Sequence, residues 1–286
     1  MVKEVMNIVV LGATGMAGHL ISLFLEEQGY QVYRMSRSIT PSKNARRIDA
    51  TDFQTLLHWL DHVDPSIIIN AIGLLQKECN AQPHQAILIN SYLPHLLEQH
   101  FSKTTTRLIH LSTDCVFSGK TGGYSENSIP DGMTIYDRSK ALGEIINSKD
   151  LTFRMSIIGP DISHNATGLF HWFMKQQGNI QGFTKVIWNG VTTIELSKAI
   201  DAAIQQNLSG LYQLVPDQHI SKHDLINLFK LEFNKTDVEI IPCEDFIVNK
   251  TLVNTRSDFN FNISSYSQMI SEMAKWIHDH KELYSY

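Results

Sequence analysis

No apolar run in this 286-residue chain approaches the ~20 residues that a bilayer-spanning helix needs, which argues against a membrane protein. A basic run is missing as well. Twenty-four lysines and arginines stand against 29 aspartates and glutamates, a formal net charge of −5. That argues against a nucleic-acid surface, while anionic small molecules stay open because they need only a local basic pocket. Cysteine is scarce: Cys79, Cys115 and Cys243 are odd in number and far apart. This is the pattern of reduced thiols in a cytoplasm, not of a disulfide framework. No signal-peptide pattern precedes the first strand-like segment, so the Asn-x-Ser/Thr triplets at Asn165 and Asn249 read as compositional accidents. Neither an internal repeat nor a clean linker is visible. What is present is an ordinary globular mix, 43% hydrophobic and 19% charged, long enough for one large domain or a core domain with a smaller one.

The first organised feature is a βαβ unit. Asn7 to Leu11 is a short apolar β run, ending in Gly12-Ala13-Thr14-Gly15-Met16-Ala17-Gly18. A helix follows with Leu20, Ile21, Phe24 and Leu25 as its apolar stripe, stops at Gly29, and gives way to a strand from Tyr30 to Met35. Three glycines spaced by three are a Gly-x-x-Gly-x-x-Gly variant of the dinucleotide fingerprint. Glycine lets the backbone approach a pyrophosphate, whose charge meets the helix N-terminus. Gly12, Thr14, Gly15, Met16 and Gly18 are therefore candidate cofactor-binding residues. The end of the second strand reads the cofactor type: an acid suits the ribose 2′-hydroxyl of NAD, a base the 2′-phosphate of NADP. Here Arg37 and Ser38 follow the strand and no acid does, which favours NADPH, with NADH as the alternative.

Arg46 to Ile48 reads as a third strand, and Asp49 at its end is placed to face an adenine. Ser66 to Ile69 is a fully apolar fourth strand. Asn70-Ala71-Ile72-Gly73 follows it, where Ala71 and Gly73 let a cofactor lie close. A helix is expected from about His84 to Phe101, with Asn90 inside it as a buried polar bracket or a surface residue. Arg107 to Leu111 is the fifth strand, with Ser112-Thr113-Asp114 at the carboxyl edge where ligands sit in open α/β sheets. A long polar loop from Phe117 to Met133 is the kind that carries function. It delivers the chain to Tyr136 and Lys140, one turn apart if a helix starts near Thr134. A lysine cation beside a phenol lowers its pKa, which makes tyrosine a usable proton donor.

Leu151 to Met155 is a sixth strand, and Gly210 to Val215 reads as one more. Helices are expected over Leu169–Gln177, within Val191–Gln206, from an N-cap at Ser221 to Phe233, and over Ser265–His280. Val238 to Cys243 is a short strand. The fold class is thus α/β: a doubly wound, mostly parallel Rossmann sheet in residues 1–156, completed by about 190–215, with a smaller mixed α/β substrate-binding lobe over 157–286 interleaved with it. No metal site is expected. His58 and His62 are spaced for one, but no third ligand is near, and a solvated face explains them better.

With these residues together, the chain resembles the extended short-chain dehydrogenase/reductase family, and within it the dTDP-4-dehydrorhamnose reductase branch of nucleotide-sugar reductases. The similarity rests on Gly12 to Gly18, Asn70 to Gly73, Leu111 to Gly119, Tyr124 to Glu126, Tyr136 to Lys140, Leu142 to Glu144 and Arg154 to Ser156. It is firm to about residue 160. Gly190-Val-Thr-Thr193 lies where the branch commonly has Gly-x-Pro-Thr. The resemblance implies a catalytic set of Thr113, Tyr136 and Lys140. Tyr136 would protonate the C4 oxygen of a nucleotide-linked 4-keto-6-deoxy sugar as NADPH delivers hydride, Thr113 would orient that oxygen, and Lys140 would hold the nicotinamide ribose. Ser112 is the rival for the threonine role, though the register of Val116-Phe117 favours Thr113.

Cys115 stands where the branch often has tyrosine and where 4,6-dehydratases carry glutamate. It reads as a small packing residue and leaves the acid–base pair for dehydration incomplete. Trp172, Phe183, Trp188 and Arg256 either line a sugar-nucleotide pocket or pack. Two other functions compete: a nucleotide-sugar epimerase with tightly bound NAD, and a non-catalytic regulatory subunit on the same fold. The implied setting is cytoplasmic polysaccharide biosynthesis. A homodimer fits the resemblance, without any interface being marked in the sequence.

Overall fold

The computed structural model describes residues 6–163 and 167–286, so Asn165 lies outside the described residues. The central sheet has seven strands: β1 (Asn7–Leu11), β2 (Gln31–Ser36), β3 (Ala45–Arg47), β4 (Ile67–Asn70), β5 (Arg107–Thr113), β6 (Leu151–Met155) and β7 (Gly210–Gln213). Their order across the sheet is β7-β6-β5-β4-β1-β2-β3 and every neighbouring pair is parallel. Parallel strands covered on both faces read as continuous apolar runs, and the Ile-Ile-Ile of β4 and the Val-Val-Leu of β1 are of that kind.

Alternate residues feed two cores. Ile8, Val10, Ile69 and Ile109 point to one face, where Ile21, Leu25, Leu196, Ile200 and Met273 from three helices meet them. Val9, Leu11, Met35 and Ile68 point to the other, against Leu56, Leu60, Leu93 and Leu97. The chain enters in the middle of the sheet, builds outward through β2 and β3, then returns to lay β4 on the other side of β1. Leu11 is thus flanked by Met35 and by Asn70. The crevice above the carboxyl ends of β1 and β4 is the topological switch point, where open α/β sheets bind ligands.

The C-terminal third gives β7 to this sheet and forms smaller sheets of its own, among them Val238–Cys243 beside Gly178–Phe183. Side-chain caps fix several helix starts. Ser221 accepts the Asp224 N–H at 3.0 Å to begin Lys222–Glu232, and Ser265 caps Tyr266–Asp279. Thr192 accepts the Glu195 N–H at 3.2 Å and caps Thr193–Gln206, so threonine serves as the N-cap at the position where the resembled branch commonly has proline.

The expected helix from His84 to Phe101 differs in three ways. A separate helix, Gln76–Ala81, precedes it; Pro83 opens it; and Ile87–Tyr92 is a π turn before Leu93–His100. Pro94 supplies the physical reason. It has no N–H to give the Asn90 carbonyl four residues back, so the ladder bulges there and the Leu93 N–H reaches Leu88. Gly143 packs against that freed carbonyl so closely that a Cβ would collide with it.

Candidate active site

A cleft of about 500 Å³ opens at the switch point. Gly12, Thr14, Gly15, Arg37, Ser38, Asp49, Ala71 and Gly73 all line it. Gly12 has φ +84°, a conformation that costs glycine little, and a Cβ there would press on the Ala71 backbone at 3.0 Å. Gly15 is the N-cap of the helix Met16–Glu27, whose first turn carries no acidic side chain. Its N-terminus is therefore free to meet an external anion. Met16 and Gly18 form that first turn and do not line the cleft. Gly18 serves packing: a Cβ on it would run into the Gly12 carbonyl oxygen.

At the far wall, Ser36 Oγ accepts the N–H groups of Ser38 and Ile39, shaping the turn that presents Arg37, and Ser38 Oγ lies 3.1 Å from Thr14 Oγ1. Asp49 is held well ionised by the N–H and hydroxyl of Thr51, at 2.9 and 2.7 Å, with Arg37 a smaller contributor. These features fit a dinucleotide: a backbone cradle, an unneutralised helix N-terminus, and one exposed guanidinium at the cleft mouth.

The second half of the site hangs on the helix Ile135–Leu142. Thr134 and Asp137 form a reciprocal capping box, with Asp137 N–H to Thr134 Oγ1 at 3.1 Å and Thr134 N–H to Asp137 Oδ2 at 3.0 Å. The loop leading to it is closed at its base by Ser118, whose N–H and hydroxyl both donate to Asp131. Its middle is pinned to the C-terminal third, with Tyr124 stacked on Phe117 at 4.2 Å and bonded to the backbones of Thr251 and Val253. Asn90 is wholly buried and is a bracket: it holds Leu74 by both backbone groups and donates to Ser139 Oγ at 3.1 Å. The cleft wall and the Tyr136 helix are thereby tied together.

Thr113 ends β5, which runs past the Leu111 end expected from sequence. Ser112 Oγ donates to Glu144 at 2.7 Å, whereas the Thr113 hydroxyl donates to Asp114 Oδ1 at 3.1 Å, accepts the Cys115 N–H at 3.1 Å, and lies near enough to the Tyr136 phenol to lower its pKa. Glu144 also forms a buried two-pronged ion pair with Arg154, at 2.8 and 2.6 Å. Lys140 is 4% exposed and its ammonium nitrogen lies 2.7 Å from the Leu111 carbonyl oxygen.

The electrostatics depart from the expectation of a lysine-lowered phenol. Burial raises the Tyr136 pKa above its ordinary value, with Cys115 and Asp114 adding to the rise and Thr113 opposing it. Burial also brings Lys140 down to about 8, against the pull of Glu144. Desolvation outweighs proximity at both groups. Asp114 is raised by burial, and the Cys115 thiol is pushed up to about 11, chiefly by burial, which makes it a packing group and not a nucleophile.

The other candidates divide. Trp188 is buried, with the Lys222 ammonium 4.6 Å from its ring centre, and Phe183 meets Phe246 edge-on. Trp172 is 39% exposed, away from the main cleft. Arg256 donates to the carbonyls of Ser209 and Leu211 at the amino end of β7, the edge opposite the cleft, so it packs. His58 and His62 are exposed, and among the described residues no three His, Cys, Asp or Glu groups converge to hold a metal. Asn249 spends its amide oxygen on Thr251. Sequence reasoning missed Ser36, Thr51, Glu78, Gln82 and Gln85 in the cleft wall, and His110 beneath Lys140. The strand-end position of Ser36 was a usable signal; Glu78 and Gln82 depend on the unforeseen helix, whereas Gln85 lies within the expected one.

The profile of the RmlD substrate binding domain matches residues 6–251. The probable low-salt glycan biosynthesis reductase Agl14 of Haloferax volcanii is 31% identical over 157 residues, 52% of this chain and 52% of that protein, so the chain spans about half the length of this curated relative. Methionine adenosyltransferase 2 subunit beta of Xenopus tropicalis is 20% identical over 266 residues, 85% of this chain and 76% of that one. The dTDP-4-dehydrorhamnose reductase of Bacillus anthracis, solved in complex with NADP, superimposes with a TM-score of 0.81 over 94% of this chain and 99% of its own, at 18% identity. At that identity the likeness speaks for the fold.

Proposed function

The chain belongs to the RmlD substrate binding domain family, and from that premise we propose that it is an NADPH-dependent reductase of the 4-keto group of a nucleotide-linked 4-keto-6-deoxy sugar. One observation carries the reading: Thr113 and Tyr136 are neighbours at the carboxyl edge of the same sheet whose switch point holds the glycine-lined cleft. A ketone oxygen set against those two hydroxyls receives a hydrogen bond from one and a proton from the other.

Residues 1–156 would hold the dinucleotide and 157–286 the sugar nucleotide. Gly12, Thr14 and Gly15 would take the pyrophosphate, Ala71 and Gly73 the chain beyond it, Asp49 the adenine, and Arg37 with Ser38 the 2′-phosphate. Lys140 would bond the nicotinamide ribose. Bound NADPH supplies the hydride that C4 receives. Tyr136 gives its phenolic proton to O4, so that ketone, hydride and proton add up to the alcohol, and the phenolate is reprotonated before the next turnover. Thr113 fixes the direction in which O4 points. Tyr136 is protonated at neutral pH, as an ordinary phenol is, and burial without substrate makes it a weaker donor that a bound ketone and a cationic Lys140 would have to offset. The three unpaired cysteines suit a reducing cytoplasm.

The test is a panel of 4-keto-6-deoxy sugar nucleotides assayed by NADPH consumption, with the C4 configuration of the product read by NMR. Turnover of at least one member with net NADPH loss is the expected result. Stoichiometric NAD that does not exchange would favour an epimerase. The likeness to the methionine adenosyltransferase subunit supports a second reading, a regulatory subunit. That reading requires no turnover anywhere on the panel together with specific binding of a protein partner.

A further inference from the structure

His110 lies on β5, three residues before Thr113, and is wholly buried. Its ring has a polar neighbour on each nitrogen. Nδ1 is 3.2 Å from the Asn70 amide nitrogen, and Nε2 is 3.4 Å from Lys140 Nζ. The position of the ring proton follows from Asn70. The amide oxygen of Asn70 accepts the Ile72 backbone N–H at 3.2 Å, so the amide nitrogen is the end turned toward the ring. An amide nitrogen only donates. Nδ1 must accept, and the proton of the neutral ring sits on Nε2. That sets an N–H opposite the lysine nitrogen. An ammonium has no lone pair to receive it and would oppose donor to donor. A free amine receives the Nε2–H and still donates to the Leu111 carbonyl at 2.7 Å.

We propose that His110, locked by Asn70 with its proton on Nε2, is a positioning residue that favours the free-amine form of Lys140 and keeps that amine aimed at the Leu111 carbonyl. Its consequence for catalysis rests on the reductase reading; the protonation itself is a property of the folded chain. The surroundings act in the same sense. Burial holds His110 well below the ordinary imidazole range, with Lys140 and His95 adding to the effect, so the ring stays neutral. Lys140 faces Glu144, just past the end of its own helix, and Cys79 on the helix Gln76–Ala81, both of which favour its charge, yet burial prevails and leaves it near 8. Lys140 thus exchanges between amine and ammonium close to neutral pH. A step that needs the ammonium fails as pH rises through about 8.

Nitrogen NMR of the histidine rings and lysine side chains in the full chain, without substrate, tests this. Wild type is expected to show His110 with a bare Nδ1 and a protonated Nε2 from about pH 6 to about 9, and Lys140 titrating near the lower end of the lysine range. His110→Phe removes the Nε2–H and is expected to raise the Lys140 titration by roughly half to one pH unit, the equivalent of one neutral hydrogen bond. Asn70→Asp offers the ring an acceptor only; it is expected to move the proton to Nδ1 and to raise Lys140 as well. A wild-type proton on Nδ1, or a Lys140 titration unmoved in both variants, would overturn the proposal. The alkaline limb of kcat/KM is expected to follow the same shifts. If the NMR results hold while no sugar is reduced, the reductase reading fails and this inference stands. If a sugar is reduced while the wild-type ring carries its proton on Nδ1, the reductase reading stands and this inference fails.

Discussion

The two ends of the site are built on opposite plans. Around Gly12, Arg37 and Asp49 the walls are backbone and exposed polar side chains, open to solvent. Around Thr113 and Lys140 the side chains are 8% and 4% exposed, and burial raises the pKa of Tyr136 and lowers that of Lys140. A dinucleotide is highly charged, and on the proposed reading it would be met by N–H groups and the Arg37 guanidinium at this wet edge. The proposed proton donor, Tyr136, is partly exposed and is backed by these buried groups. Changes at the wet end are expected to move cofactor affinity, and changes at the dry end turnover or stability.

The sharpest break between the two is expected from Tyr136→Phe. It should lower sugar reduction by about 10²–10⁴-fold, the usual worth of a positioned acid, with the NADPH dissociation constant within about twofold of wild type. A matched loss of cofactor binding would erase the distinction. Next is Glu144→Gln, which leaves the buried Arg154 guanidinium without its countercharge. Chemical denaturation should show a loss of about 3 kcal/mol, where the same change at an exposed pair would cost less than about 1 kcal/mol.

Arg37→Ala addresses the wet end. Loss of one charge-assisted contact at an exposed cleft mouth should raise the KM for NADPH about tenfold and leave that for NADH nearly unchanged, measured side by side. The last effect, on stability, has the opposite sign. Lys140 is held near 8 in the folded chain and near 10.5 in the unfolded one, so between those values the unfolded state binds more protons and stability rises with pH. Lys140→Met should therefore abolish turnover yet stabilise the protein by about 1–3 kcal/mol at pH 7, a gain that shrinks as pH climbs from about 8 to about 10.5.

Much of the wet end was legible in the sequence because it depends on backbone form. The glycine spacing from Gly12 to Gly18, the apolar strands and the basic residues after β2 are local signals, and each falls on a strand end of the observed sheet. The Thr134 start of the Tyr136 helix was readable for the same reason. The dry end was legible only as a spacing. Tyr136 and Lys140 four apart give proximity but say nothing of burial, which reverses the expected direction of the phenol's pKa. His110 looked like one more strand residue, since its neighbours Asn70 and Lys140 come from 40 residues before and 30 after. Glu78 and Gln82 were hidden because they lie on and just after the unforeseen helix Gln76–Ala81, and Arg256 found its carbonyls on a strand 45 residues upstream.

The most direct test of hydride reduction follows the hydride itself. NADPH carrying deuterium on one face of C4 of its nicotinamide, then on the other, is incubated with a 4-keto-6-deoxy sugar nucleotide that the enzyme turns over, and the product is examined by NMR. The predicted result is deuterium on sugar C4 from one face only, one NADP formed per alcohol, and neither with Tyr136→Phe. A product altered at a sugar carbon without deuterium, or with no net NADP formed, would contradict the assignment of this chain as a reductase.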